Sequence, residues 1–151
     1  MGGWWWFVGD SSAAAAVVAP RIAQPMQEFR KGNVDGQMLI SLLQVVDPAL
    51  LSEFTTNGRP AGATPFHLIC NASDKELERV EVMREMIRLS ASPSLKMRTN
   101  GATPLHRAAG SGARHIVEEL LAVRAQVNLA NNAGATPLDA CSGSNGRRQC
   151  L

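Results

Sequence analysis

Residues 101–108 read Gly-Ala-Thr-Pro-Leu-His-Arg-Ala, and the opening Gly-Ala-Thr-Pro recurs at Gly62–Pro65 and Gly134–Pro137. Each copy is followed by an apolar residue and a stretch with helical character, so the chain is an array of repeats. The distance from Thr103 to Thr136 is 33 residues, and that from Thr64 to Thr103 is 39. Lining up the helix that follows each copy locates the difference. His106 to Leu120 is 14 residues, whereas His67 to the matching Met86 is 19, which puts five extra residues between Asn71 and Glu81 and a sixth near the Ser-Pro-Ser of residues 92–94. The longer unit reads as the shorter one with an enlarged loop.

The repeated residues have physical roles. Thr64, Thr103 and Thr136 can cap a helix by accepting from an orphan backbone N–H. Pro65, Pro104 and Pro137 then fill the first helical position, where no N–H is needed and φ is already set. Gly62, Gly101 and Gly134 are expected in turns that need φ > 0 or close backbone approach. Downstream, Ile116, Val117, Leu120 and Leu121 form an apolar stripe at helical spacing, with Val82, Met83, Met86 and Ile87 in the equivalent places one unit earlier. Ala108 and Ala109 match Ile69 and Cys70 before them and Cys141 and Ser142 after them. Small side chains there would let neighbouring helix pairs approach closely.

The run Thr103-Pro104-Leu105-His106-Arg107-Ala108 and the 33-residue period resemble the TPLHxA signature and spacing of the ankyrin-repeat family. Residues 120–128, LLAVRAQVN, are similar to that family's LLxxGAxVN ending, with Arg124 where glycine closes the helix. A non-glycine residue at a left-handed cap costs roughly 1 kcal/mol. The resemblance covers residues 26–142. It implies an all-α solenoid of antiparallel helix pairs with projecting hairpin-like loops, and a function in binding another protein without catalysis. It also implies that His67 and His106 brace loops through hydrogen bonds, with Asp139 as their replacement in the last unit.

On this reading residues 26–57 are a degenerate first repeat, residues 58–97 and 98–130 are full repeats, and residues 131–142 are a partial one. Met38, Leu39, Leu42, Leu43 and Val46 trace a helical face in the first, after a short polar segment from Gln27 to Lys31 and before Asp47-Pro48. After Cys141 the sequence offers no apolar stripe for a second helix. A full unit would cover the exposed side of Ile116 to Leu121. Either the chain is a piece of something longer, or that surface is covered by a partner, by a dimer mate or by nothing. Residues 143–151 read as a flexible tail.

Residues 1–25 form a Trp/Ala-rich leader with no fixed structure expected. Its apolar block, Trp4-Trp5-Trp6-Phe7-Val8, falls short of the ~18 residues of a membrane span. Trp favours membrane interfaces, so a membrane-peripheral scaffold is one alternative reading. An adaptor or targeting fragment of a longer multidomain protein is another.

The chain has 151 residues, enough for one small repeat domain, and a net charge of +2, too little for strong nonspecific nucleic-acid binding. The three cysteines are odd in number and unspaced for zinc or disulfide use, which points to a reducing cytoplasmic or nuclear setting. No catalytic triad order, phosphate-cradling loop, paired CxxC or HExxH pattern appears, so neither an enzyme nor a cofactor or metal site is expected. The alternating charges from Asp74 to Arg88 read as a solvated helix face, and His115 as an ordinary surface residue.

The loop side is basic. Arg59 and Arg98 stand three residues before their glycines, where the family often has Asp, and Asn131 is the third equivalent. Lys96 lies beside Arg98, and Arg107 occupies the first-helix position that the resemblance turns toward the concave groove. From residue 96 onward seven Lys/Arg face three acids. The expected contact surface is Arg59, Pro60, Ala61, Ala63, Lys96, Arg98, Thr99, Asn100, Ala102, Arg107, Asn131, Asn132 and Ala133, offered to a protein with an acidic surface. The sequence does not specify the oligomeric state.

Overall fold

The computed structural model describes residues 24–52, 62–70, 75–89 and 91–143. These form seven α-helices, one 3-10 helix and no strand: α1 (24–30), α2 (Gly36–Leu43), the 3-10 helix Pro48–Ser52, α3 (Pro65–Ile69), α4 (Glu76–Arg88), α5 (Pro104–Ser111), α6 (Arg114–Ala122) and α7 (Pro137–Gly143). Residues 1–23 of the leader, residues 53–61 and the tail after residue 143 lie outside the described residues, while Gln24 and Pro25 belong to α1 and Gly143 to α7, so the leader and the tail are each shorter than expected.

Two parallel rows organise the stack. The second helices α2, α4 and α6 pack one upon the next, and the first helices α3, α5 and α7 do the same beside them. Within units, α3 packs on α4 and α5 on α6. This is the all-α solenoid of helix pairs that the repeats imply. The core runs along the seam between the rows, from Met26, Phe29, Leu39 and Leu43 through Phe66, Ile69, Val82, Met83 and Met86 to Leu105, Ile116 and Leu120. Ala108, Ala109 and Cys70 are buried where neighbouring first helices meet, the place that requires small side chains.

Three further expectations are corrected. The polar segment from Gln27 to Lys31 lies largely within helix α1, which buries Met26 and Phe29 in the core. Two apolar residues at i, i+3 are too few to reveal such a helix by periodicity. In α2 the inward face is Gly36, Leu39 and Leu43, while Met38 and Leu42 are 59% and 40% exposed on its back. Gly36 fits there because even a Cβ would meet Glu78 Cβ of α4 at 3.3 Å. Residues 36–46 carry no charge, so the sequence offers no polar contrast to choose between faces.

The third correction concerns the insertion. Helix α4 is 13 residues long and α6 is 9, and their C-terminal ends are equivalent. Most of the extra residues therefore add a helical turn, Glu76 to Arg79, to the start of α4 instead of enlarging a loop. That turn ties the stack together. Arg79 Nη2 donates to the Arg30 carbonyl at 3.1 Å, and its guanidinium lies over the Phe29 ring, 5.7 Å from the centroid. At its other end Glu76 Oε1 accepts from the His115 and Ile116 amides at 2.8 and 3.4 Å. Helix α6 begins at Ala113, which has no capping side chain, so the preceding unit supplies the cap.

Among the alternating charges of α4, Arg88 pairs with Glu85 at 3.2 Å along the helix, whereas Arg84 reaches across to Glu119 of α6. His115 is a surface residue that meets Glu76 at 3.3 Å.

Candidate functional site

The loop side is built from hairpins that enter α3, α5 and α7. In the middle one, Met97 N–H donates to the Ala102 carbonyl at 2.8 Å and Gly101 N–H to the Met97 carbonyl at 2.9 Å. In the next, Asn131 N–H donates to the Ala135 carbonyl at 2.9 Å, and the Asn131 Oδ1 gathers the Ala133 and Ala135 amides at 2.9 and 3.0 Å. Asn131 thus serves its own turn, as short polar side chains do. Arg98, its equivalent one unit earlier, cannot accept a hydrogen bond. The Ala102 amide there donates to Asn100 Oδ1 at 3.1 Å instead.

The expected glycines adopt left-handed backbone, with φ of +67° at Gly62, +68° at Gly101 and +78° at Gly134. A Cβ on Gly101 would also strike the side-chain oxygen of Asn132 in the following hairpin. Both reasons given for glycine hold at this position.

Successive hairpins are strapped together in three ways. Backbone bonds run from Arg98 N–H to the Gly62 carbonyl and from Asn132 N–H to the Asn100 carbonyl, each 2.9 Å. The Lys96 ammonium donates to the Ala130 carbonyl at 2.8 Å. The histidines supply the third strap. His67 Nδ1 accepts from the Thr64 hydroxyl and amide at 2.8 and 3.2 Å, while its Nε2–H donates to the Ala102 carbonyl at 3.0 Å. His106 repeats the arrangement, with Thr103 at 2.8 and 3.1 Å and the Ala135 carbonyl at 2.9 Å.

This pattern uses the neutral imidazole with the proton on Nε2. Burial pushes the His67 pKa down to about 4, against the pull of its backbone partners and with the Arg107 charge adding to the fall. Asp139 keeps the local half of the arrangement. It accepts from the Thr136 amide and hydroxyl at 2.8 and 2.7 Å, bonds that hold its carboxyl below the usual carboxylate range. A carboxylate has no N–H with which to reach a further loop.

The expected contact residues divide by exposure. Lys96, Arg98, Thr99, Asn100, Asn132 and Ala133 are exposed along adjacent hairpins, and Asn131 is partly so. Ala63 and Ala102 are corrected: they are 0% and 6% exposed, because the residue after each glycine turns into the core ahead of the helix. Arg59, Pro60 and Ala61 lie outside the described residues.

Arg107 is half-buried at the start of α5, and burial lowers its pKa below the ordinary arginine value, with the like charge of Arg30 in the same direction. Arg30 acts on Arg79 as it does on Arg107, so like charge gathers at Arg107, Arg30 and Arg79. The sequence reading missed the last two because one lies in the unrecognised helix α1 and the other in the extra turn of α4.

The cysteines are corrected as well. Cys141 is disulfide-bonded, and Cys70 is a free thiol. That thiol is fully buried, donates to the Phe66 carbonyl at 3.2 Å and is pushed up by burial to about 12, which makes it an inert core residue. Cysteine count therefore no longer argues for a reducing setting. Among the described residues no group of three His, Cys, Asp or Glu could hold a metal ion, and no helix is long and apolar enough to cross a membrane.

The family model described as ankyrin repeats, in three copies, matches residues 34–130 and 78–151. Two stacked helix rows, a Thr-Pro capped first helix in each of the last three units and histidine-braced hairpins agree with that match, and the chain belongs to the ankyrin-repeat family.

Proposed function

We propose that the chain binds an acidic surface of another protein through its hairpin loops and the adjoining start of α5, without performing chemistry. Ankyrin repeats serve generally as protein-interaction modules. The observation that carries the finer reading is the exposure of Lys96 and Arg98 on a hairpin strapped to both neighbours. Charges on such a preorganised surface lose little ordering entropy on contact, and complementary charge speeds encounter. Thr99, Asn100, Asn132 and Ala133 continue the surface, Asn131 shapes it, and Arg107 adds positive potential at its edge. The binding unit is the repeat region, residues 26–142.

The test is affinity capture from an extract of cells that express the chain, comparing the parent with a Lys96→Glu/Arg98→Glu variant checked for helical circular dichroism. A protein retained by the parent and released by the variant, whose association rate falls as salt rises, is the expected result. Equal retention by both, or an association rate indifferent to salt, overturns the reading.

A further inference from the structure

The second helices share one register. Gly36, Leu39 and Leu43 of α2 are buried at the same spacing as Arg79, Val82 and Met86 of α4, and as Ala113, Ile116 and Leu120 at α6. That register makes Met38, Leu42 and Val45 the equivalents of His115, Glu119 and Ala122. On α6 this stripe faces the preceding helix: His115 meets Glu76 of α4 at 3.3 Å, and Glu119 pairs with Arg84 of α4. On α2 the stripe is open, with Met38 and Val45 59% and 88% exposed.

The two stripes differ in chemistry. Helix α6 meets its predecessor through charge, whereas residues 36–46 hold none, so the α2 stripe suits an occupant that is itself apolar and uncharged. The chain contains such a segment, Trp4-Trp5-Trp6-Phe7-Val8, bounded by Gly3 and Gly9 and with no charged side chain before Asp10. It is also within reach. Met26 and Phe29 of α1 share the core with Leu39 and Leu43 of α2, and only residues 31–35 join the two helices, so the start of α1 lies beside the end of α2. Residues 9–23 can span up to about 50 Å against a stripe of about 10 Å, and a tether of that length gives an effective concentration on the order of 1 mM. A lipid surface fits less well, because exposed Asp35 and Asp47 bracket the stripe and would repel anionic headgroups.

We propose that the Trp4–Val8 segment of this chain docks on the α2 stripe, its rings against Met38, Leu42 and Val45, and closes that end of the stack. Burial of the rings and of the stripe supplies the stability, and the thioether of Met38 suits an aromatic neighbour. The end units of a repeat array need an outer face that water tolerates. Here a separate segment of the chain meets that need. The stripe includes no residue of the loop face, so the two readings fail independently.

The experiment is tryptophan fluorescence of the full chain. Its three tryptophans are Trp4, Trp5 and Trp6 and it has no tyrosine, so the signal reports this segment alone. Emission should lie to the blue of that in the urea-unfolded chain, with weaker quenching by acrylamide. Met38→Glu/Val45→Glu, at two exposed positions, should raise the quenching constant at least twofold and move emission to the red, with helical circular dichroism retained. Val45→Glu alone repeats the test without a change inside α2. Leu121→Glu, at an exposed apolar residue on α6, should leave both readings unchanged. Emission and quenching already as in the unfolded chain, shielding that survives the α2 variants, or shielding lost equally in Leu121→Glu overturns the proposal. Shielding that appears only as the chain self-associates in analytical ultracentrifugation also overturns it, by assigning the segment to a second copy.

Discussion

At the scale of single residues, Arg124 shows a sequence departure with a measurable consequence. It holds φ of +59° where α6 closes in a Schellman turn, with Arg124 N–H on the Leu121 carbonyl at 3.0 Å and Ala125 N–H on the Leu120 carbonyl at 2.9 Å. Arg124→Gly removes the left-handed strain without touching either bond, and should raise stability by about 1 kcal/mol, read as a higher denaturation midpoint in urea. His67 gives a second test. Its folded pKa, about 4, lies below the ordinary histidine value of 6.5, so the unfolded chain binds the proton more readily. Its contribution is complete above pH 6.5 and is lost as pH falls toward 4, for a change of up to roughly 3 kcal/mol. The parent should lose stability over that window more steeply than a His67→Gln variant, whose overall stability is lower but whose side chain does not titrate. Parallel pH profiles for the two would show that His67 takes up its second proton as readily in the fold as in the unfolded chain.

At the scale of elements, the extra turn of α4 acts as the N-terminal cap of α6. Glu76→Ala should cost roughly 1 kcal/mol, the usual loss when a helix start is left uncapped. The change should appear in chemical denaturation and in faster exchange of the His115 and Ile116 amides. Glu81→Ala, on the exposed face of the same helix, should change little. The caps and hairpins were legible because Gly, Thr, Pro and His each answer one local backbone requirement. Arg124 was legible by the same logic, as the wrong residue for a required conformation. The extra turn was not, because a helix and a loop can absorb the same five residues. The inward face of α2 was hidden by the absence of charge in residues 36–46. At the candidate site, Lys96 and Arg98 could be placed on the loops by register alone. The burial of Ala63 and Ala102 depends on where the backbone turns after each glycine, a three-dimensional matter the register does not carry.

At the scale of the whole molecule, equivalent residues differ by their place in the stack. Gly101 and Gly134 share a left-handed backbone, but a Cβ at Gly101 meets Asn132 of the next hairpin, its amide N at 3.0 Å, while one at Gly134 meets nothing within 4 Å. Gly134→Ala should therefore cost only the strain, about 1–2 kcal/mol, and Gly101→Ala clearly more. Equal shifts in denaturation midpoint would mean that the hairpins are not stacked in solution. The order of the second-helix row has a further consequence, in time. In a one-dimensional array each unit is held by its neighbours, so opening starts where a neighbour is lacking. Among the described residues α4 has second helices on both sides and α6 on one, so amide exchange of α6 should precede that of α4, and any molecule seated against α6 would slow that opening and so lengthen the lifetime of the array.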